Sequence, residues 1–223
     1  DYVRQAFRSG HAENVPFEVR GALDDFPFKN DVGGLFRVRV PIQQVVMDYV
    51  PPALLGLATD ARTGYWPAFT SLEGLLRFEG QRMVIEGARG MLGTTGTGRF
   101  TLSDVSGRVD DLGADEPHLT IQGRGTGPLD DVLRFLAVSP VGEWTSGALS
   151  EARGSGRGAL QLSLDIPLNR SEDTRIKGLV TLADKDQASL QLRPTIPVFS
   201  ALRGTIAITE TRLDVQARTR VWG

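Results

Sequence analysis

Period-two alternation of apolar and polar residues constrains this chain more than any other feature. Leu160, Leu162, Leu164 and Ile166 are interleaved with Gln161, Ser163 and Asp165. That spacing sends the apolar side chains to one face of a strand and the polar ones to the other. Comparable runs are Phe17/Val19, Phe36/Val38/Val40, Leu76/Phe78, Val180/Leu182, Leu190/Leu192, Ile206/Ile208 and Leu213/Val215. The connectors between them, such as Glu79-Gly80-Gln81, Ala183 to Gln187 and Thr209-Glu210-Thr211, are too short for βαβ crossovers and suit antiparallel hairpins. The chain therefore reads as mainly β, with ten or more strands that mostly have one dry and one wet face. Its 26 glycines in 223 residues exceed the usual roughly 7%, as turns, bulges and close strand packing require.

One segment departs from the alternation. Gly127, Pro128 and the acidic pair Asp130-Asp131 make a helix start, with Gly127 as N-cap and Pro128 at N1. Leu129, Val132, Leu133 and Leu136 follow at helical spacing until Ser139-Pro140. A short amphipathic helix is expected near 128–138, lying against a sheet. Asp1 to Arg8 reads as a frayed helical end and Pro51 to Tyr65 as a long connection. Residues 66–93 also align without gaps on residues 196–223, at a constant offset of 130. Pro67/Pro197, Phe69/Phe199, Leu72/Leu202, Gly74/Gly204, Arg82/Arg212 and Gly93/Gly223 are identical. Either both segments obey the same hairpin grammar, or they are quasi-repeats of an array that accumulates along one axis.

Catalytic signals are weak. The balance of 25 Lys+Arg against 27 Asp+Glu removes the usual electrostatic case for nucleic acid. With no Cys, disulfides, thiol catalysis and Cys-ligated metal are excluded. No run approaches the ~18 consecutive apolar residues that a membrane-crossing helix needs. The two histidines, His11 and His118, belong to no ligand spacing. The pairs Asp24-Asp25, Asp110-Asp111 and Asp130-Asp131 fall where turns and a helix start are expected. Adjacent strand residues face opposite sides, so none of these pairs builds a two-carboxylate site by itself. Gly123 to Gly127 reads G-x-G-x-G rather than a dinucleotide fingerprint, and Gly93 to Gly98 lacks the P-loop Lys-Ser/Thr. Gly154 to Gly158 runs straight into a strand. There is no G-x-S-x-G elbow. No enzymatic function, cofactor or metal is expected.

The chain starts at Asp1 rather than Met, and its last alternating run, Arg212 to Val221, reaches almost to Gly223. It reads as one β-rich segment of something longer. Alternation alone leaves two architectures open: a closed β-sandwich or barrel whose apolar faces pack together, or an open curved sheet.

A set of motifs in order is more specific. Arg20-Gly21-Ala22-Leu23-Asp24-Asp25-Phe26-Pro27-Phe28 is followed by Gly34-Leu35-Phe36 and Tyr65-Trp66-Pro67. Leu72-x-Gly74-x-Leu76-x-Phe78, the helix Leu129 to Leu136 with Ser139-Pro140, and Gly158 to Leu168 complete the series. Together they resemble the YhdP family of AsmA-like, bridge-like lipid transfer proteins; Val45 to Thr63 fits that pattern least. The resemblance implies a fragment of the central or C-terminal β-rich region of a long Gram-negative envelope protein. The parent would be anchored in the inner membrane and span the periplasm. An open β-groove would then carry phospholipid between the two membranes and support the outer-membrane barrier. Its partners would be phospholipid acyl chains and envelope proteins at the two membranes, with membrane contact made by parts of the parent outside this sequence. On that reading the groove candidates are Leu76, Phe78, Leu160, Leu162, Leu164, Ile166, Leu190, Leu192, Ile206, Ile208, Leu213 and Val215. A non-catalytic scaffold with a closed core is the alternative.

Overall fold

The computed structural model describes residues 7–11, 14–29, 32–47, 68–92, 100–138, 150–170, 173–183, 187–209 and 212–220. The connection expected from Pro51 to Tyr65, the Tyr65-Trp66-Pro67 motif, Gly93 to Gly98 and Ser139-Pro140 lie outside them, as does most of 1–8, whose described residues Phe7 and Arg8 begin a strand paired with residues near Met47 rather than a helical end.

Thirteen strands form one open, curved sheet. They are β1 Phe7–His11, β2 Phe17–Gly21, β3 Gly34–Met47, β4 Phe69–Glu79, β5 Arg82–Leu92, β6 Phe100–Val109 and β7 His118–Pro128. After the helix α1, Leu129–Val138, come β8 Arg153–Ser155, β9 Arg157–Pro167, β10 Arg175–Leu182, β11 Ala188–Gln191, β12 Phe199–Thr209 and β13 Leu213–Arg220. The main path is β1-β3-β4-β5-β6-β7-β9-β10-β12-β11-β8, with β2 also on β3 and β13 also on β12. Every pairing is antiparallel. Among the described residues no ladder joins β13 to β1 or β2, so the sheet does not close into a barrel.

Register aligns the alternation of separate strands into rows. One row runs Val40–Leu76–Ile85–Gly107–Ile121–Leu164–Ile176 across seven strands. Another, two rows along, runs Gly90–Leu102–Gly125–Leu160–Val180–Ile206–Val215. Glycine interrupts these rows because neighbouring side chains lie over it. A Cβ on Gly125 would collide with the Phe100 ring, and one on Gly90 would come within 2.7 Å of Leu72 Cδ2. The opposite face carries the polar residues, tied by pairs such as Arg89–Glu73 at 2.6 Å and Arg77–Glu86 at 2.6 Å.

Alternation slips by one residue in five strands. Ile42/Val45, Phe69/Leu72, Ile85/Ala88, Leu102/Val105 and Phe199/Leu202 are three apart, yet all ten side chains are buried or partly buried against one cluster. In each case the residue before the second member has a left-handed backbone: Gln44, Ser71, Gly87, Asp104 and Ala201, with φ between 48° and 55°. Each is a β-bulge, with a register shift at that point. A bulge inserts one residue and increases local twist and bending, which is how a flat ladder becomes a trough.

Two local motifs take their form from packing. Phe28, fully buried, occupies a socket that exists because Gly21 and Gly34 lack side chains; a Cβ on either would come within 2.7 Å and 2.5 Å of its ring. Phe26 stacks edge-on against Phe28 and Phe36. At the expected helix start, Gly127 and Pro128 instead end β7, paired with Gly158 and Arg157 of β9. The first helical residue is Leu129, whose N–H donates to Gly156 O at 3.0 Å. The β9 ladder claims the two residues that would otherwise cap the helix.

Candidate functional site

Eleven of the twelve residues singled out from sequence pack in or against the apolar cluster or line its cavity. Leu76 and Leu164 share one row; Leu160, Ile206 and Val215 share another. The Leu162–Gly178–Ile208–Leu213 row lies alongside, the last residue being placed by its backbone pairing. Phe78 pairs across to Val38 and Met83, and Ile166 to Leu119. Leu190 on β11 pairs with Phe199 of β12.

Their surroundings differ. Leu164, Ile166, Leu119, Val109 and Ile176 are at most 2% exposed and fill the trough around β6, β7, β9 and β10. Phe78, Leu162, Leu192, Val40, Val105 and Phe199 are only partly buried against the same cluster. Under α1 the face remains hollow. A cavity of about 320 Å³ is lined by Leu129, Val132 and Leu133 of α1, Val180 of β10, and Leu190 and Leu192. Across from them stand Phe199, Leu202, Ile206 and Ile208 of β12 and Val215, Ala217 and Thr219 of β13. Five of the twelve candidates thus meet at one cavity, while Leu76, Phe78, Leu160, Leu162, Leu164 and Ile166 lie away from it.

α1 roofs this cavity; its amphipathic spacing states which side is apolar and not what stands opposite. Leu129, Val132 and Leu133 are buried, whereas Arg134 points out and pairs with Asp130 at 2.5 Å. α1 rests directly on β8: a Cβ on Gly154 would come within 2.8 Å of Leu133 Cδ1. Asp130 Oδ1 accepts the Gly154 N–H at 3.3 Å. Partial desolvation raises the Asp130 pKa, but the hydrogen bonds from Arg134 and Gly154 outweigh it and hold the carboxyl below its ordinary value. β8 in turn is stitched to β11 through the Ser155–Ser189 hydroxyl pair at 2.8 Å. Thr219 is the cavity's one polar side chain, and its hydroxyl donates to Ser200 O at 2.9 Å. Among the described residues, no side chain lining the cavity is ionisable.

Other sequence candidates sit where local geometry explains them. Asp24-Asp25 form a single 3-10 turn. Asp111 turns the chain by accepting the Gly113 N–H at 2.9 Å, and its pKa is lowered chiefly by the hydrogen bond from Lys29. His118 opens β7 on the polar face, with Nδ1 2.7 Å from Asp165 Oδ1. Gly123, Gly125 and Gly127 lie within β7 rather than in a phosphate loop. Among the described residues no cluster of three His, Cys, Asp or Glu could hold a metal, and no helix is long and apolar enough to cross a membrane. A larger depression of about 690 Å³ on the polar face includes Asp104, Arg124 and Lys177. The side chains of Asp104 and Arg124 are each 72% exposed, so this is ordinary solvated surface.

Comparison with known proteins supplies the family. The model of the YhdP protein family matches residues 1–220, nearly the whole chain. This chain belongs to the YhdP family. It is 26% identical over 224 residues to the intermembrane phospholipid transporter YhdP of Escherichia coli K12, an alignment covering all of this chain and 16% of that relative. The chain thus spans about one sixth of the length of the YhdP relative it matches. No solved structure matches it significantly.

Proposed function

We propose that this chain forms one stretch of an envelope-spanning path along which phospholipid moves between inner and outer membrane. The carrying observation is the continuity of the apolar face, whose rows cross as many as seven strands without a charged side chain. Water exposure costs an acyl chain ~0.8 kcal/mol per CH₂, so two long chains crossing an aqueous compartment face a cost on the order of 20 kcal/mol. An apolar trough removes most of it with no catalytic group, and head groups stay in solvent. The partly buried Val40, Phe78, Val105, Leu162, Leu192 and Phe199 are the surface on which chains would slide, above a floor of fully buried residues. Many similar weak contacts suit transit better than one tight site. The expected setting is the periplasm, with the parent held at the inner membrane, envelope proteins at both ends and outer-membrane integrity as the benefit.

A charge placed on the path tests this. Leu162→Arg, at a half-buried position, should leave protein levels unchanged and sensitise cells that depend on the protein to detergent. Wild-type detergent resistance at normal abundance would count against a path through Leu162.

The solid packing of Val109, Leu119, Ile166 and Ile176 favours a second reading, a non-catalytic scaffold with a closed core. Under it, Leu162→Arg would affect barrier function only to the extent that it lowers protein abundance.

A further inference from the structure

Resting on the lipid-path reading, we infer that the cavity beneath α1 is a side pocket for a single acyl chain of a diacyl phospholipid, entered tail-first from the side lined by Val215, Ala217 and Thr219. Volume sets the stoichiometry. At about 30 Å³ per water-sized group in a liquid, a cavity of about 320 Å³ accommodates roughly ten methylene-sized groups. That holds most of one long chain and not two. The lining chemistry fits the same occupant: twelve of its thirteen residues are Leu, Val, Ile, Phe or Ala, and the Thr219 hydroxyl is already spent on Ser200 O.

Exposure gives the direction of entry. The α1 wall is closed, with Leu129, Val132 and Leu133 at 1%, 3% and 5% exposed, whereas Val215 on β13 is 50% exposed. Its neighbours Ala217 and Thr219 are exposed as well, so the mouth lies along β13 and the floor under α1. The roof is fixed rather than loose: Asp130 binds the β8 backbone at Gly154, Leu129 binds Gly156 just after it, and β8 is bound to β11. A diacyl lipid using this pocket separates its tails, one beneath α1 and the other on the main trough, with its head group at the exposed mouth.

Phosphatidylethanolamine carrying a diazirine either at the chain terminus or beside the ester tests the arrangement on the full-length protein, with labelled peptides mapped by mass spectrometry. The terminal probe should label 129–133 and the ester-proximal probe 215–219. Ala217→Trp, at an exposed position in the mouth, should cut α1 labelling at least tenfold. Gln216→Trp, the adjacent residue on the polar face, should leave it unchanged. Labelling of α1 by both probes alike, or α1 labelling indifferent to Ala217→Trp, overturns the pocket. So does a lysophospholipid probe entering α1 while the diacyl probe stays out. Label on Phe78 and Leu162 without label on α1 removes this inference and leaves the lipid path standing. No label anywhere on the apolar face removes both.

Discussion

The hairpins β4–β5 and β12–β13 are the two halves of the 130-residue offset, and they are the same object in different company. β4 spans Phe69–Glu79 and β12 spans Phe199–Thr209, offset by 130 at both ends. Both carry a left-handed bulge at corresponding residues, Ser71 at φ 51° and Ala201 at φ 48°. Pairing coincides as well: Phe78–Met83 and Leu76–Ile85 in one, Ile208–Leu213 and Ile206–Val215 in the other. They diverge beyond that point. β5 has a second bulge at Gly87 and pairs with β6, and Ile85 is 8% exposed; the described residues of β13 have no such bulge, and Val215 is 50% exposed. One sequence grammar therefore makes an interior wall where β6 packs beside it and the lining of a cavity where α1 stands opposite. Burial is a property of the neighbour, not of the alternation.

The largest test of that contrast is a charge at equivalent positions. Ile85→Asp should cost about 3–5 kcal/mol in a urea melt, because the carboxylate is buried among apolar rows without a partner. Val215→Asp should cost under about 1 kcal/mol and show its effect in lipid capture instead. Equal costs would mean that the two hairpins share one environment. Next come the matched glycines. Gly204 has φ +144° and a Cβ there would collide with Gln216 O, so Gly204→Ala should cost about 3 kcal/mol. Gly74, whose Cβ would lie 2.9 Å from Ala88 Cα and Cβ, has a backbone that other residues adopt. Gly74→Ala should cost less, about 1–2 kcal/mol.

The bulges should respond alike and in the other direction. Ala201→Gly and Ser71→Gly each relieve a left-handed backbone and should stabilise by roughly 0.5–1 kcal/mol, by the same amount in both hairpins within error. The smallest effect concerns the roof of the cavity, which only the second hairpin has. The Asp130 carboxyl is held below its ordinary pKa, so its anchoring of β8 is present above about pH 4 and lost as pH falls through the depressed value. Asp130→Asn should lower stability by about 0.5 kcal/mol at neutral pH, and the difference from wild type should vanish only in acid below that range. Hydrogen exchange at Gly154 would follow it.

Strand existence and facing were legible because alternation has period two and every connector is short. β9 and β10 show it most clearly: an unbroken sequence phase gives strands without a bulge. The bulges left a trace as well, the i, i+3 spacing of Ile42/Val45, Phe69/Leu72, Leu102/Val105 and Phe199/Leu202, readable as a slip of phase. What local sequence could not state is which element stands opposite a given face. Leu164 and Ile208 have the same alternating surroundings, yet Leu164 packs in the filled trough and Ile208 lines the cavity. That difference arises from α1, β8 and β11 folding over one end of the sheet, contacts between residues up to tens of positions apart. The helix start was displaced for a related reason, since pairing of Gly127 and Pro128 with β9 overrides their capping preference.

The central claim is that lipid touches the apolar face and not the polar one. Photoactivatable side chains placed at Leu162 and Val215, with Gln161 and Gln216 as their polar-face neighbours, read that contact in living cells. The account predicts phospholipid adducts at Leu162 and Val215 well above those at Gln161 and Gln216. Adducts equally frequent at all four positions would contradict it.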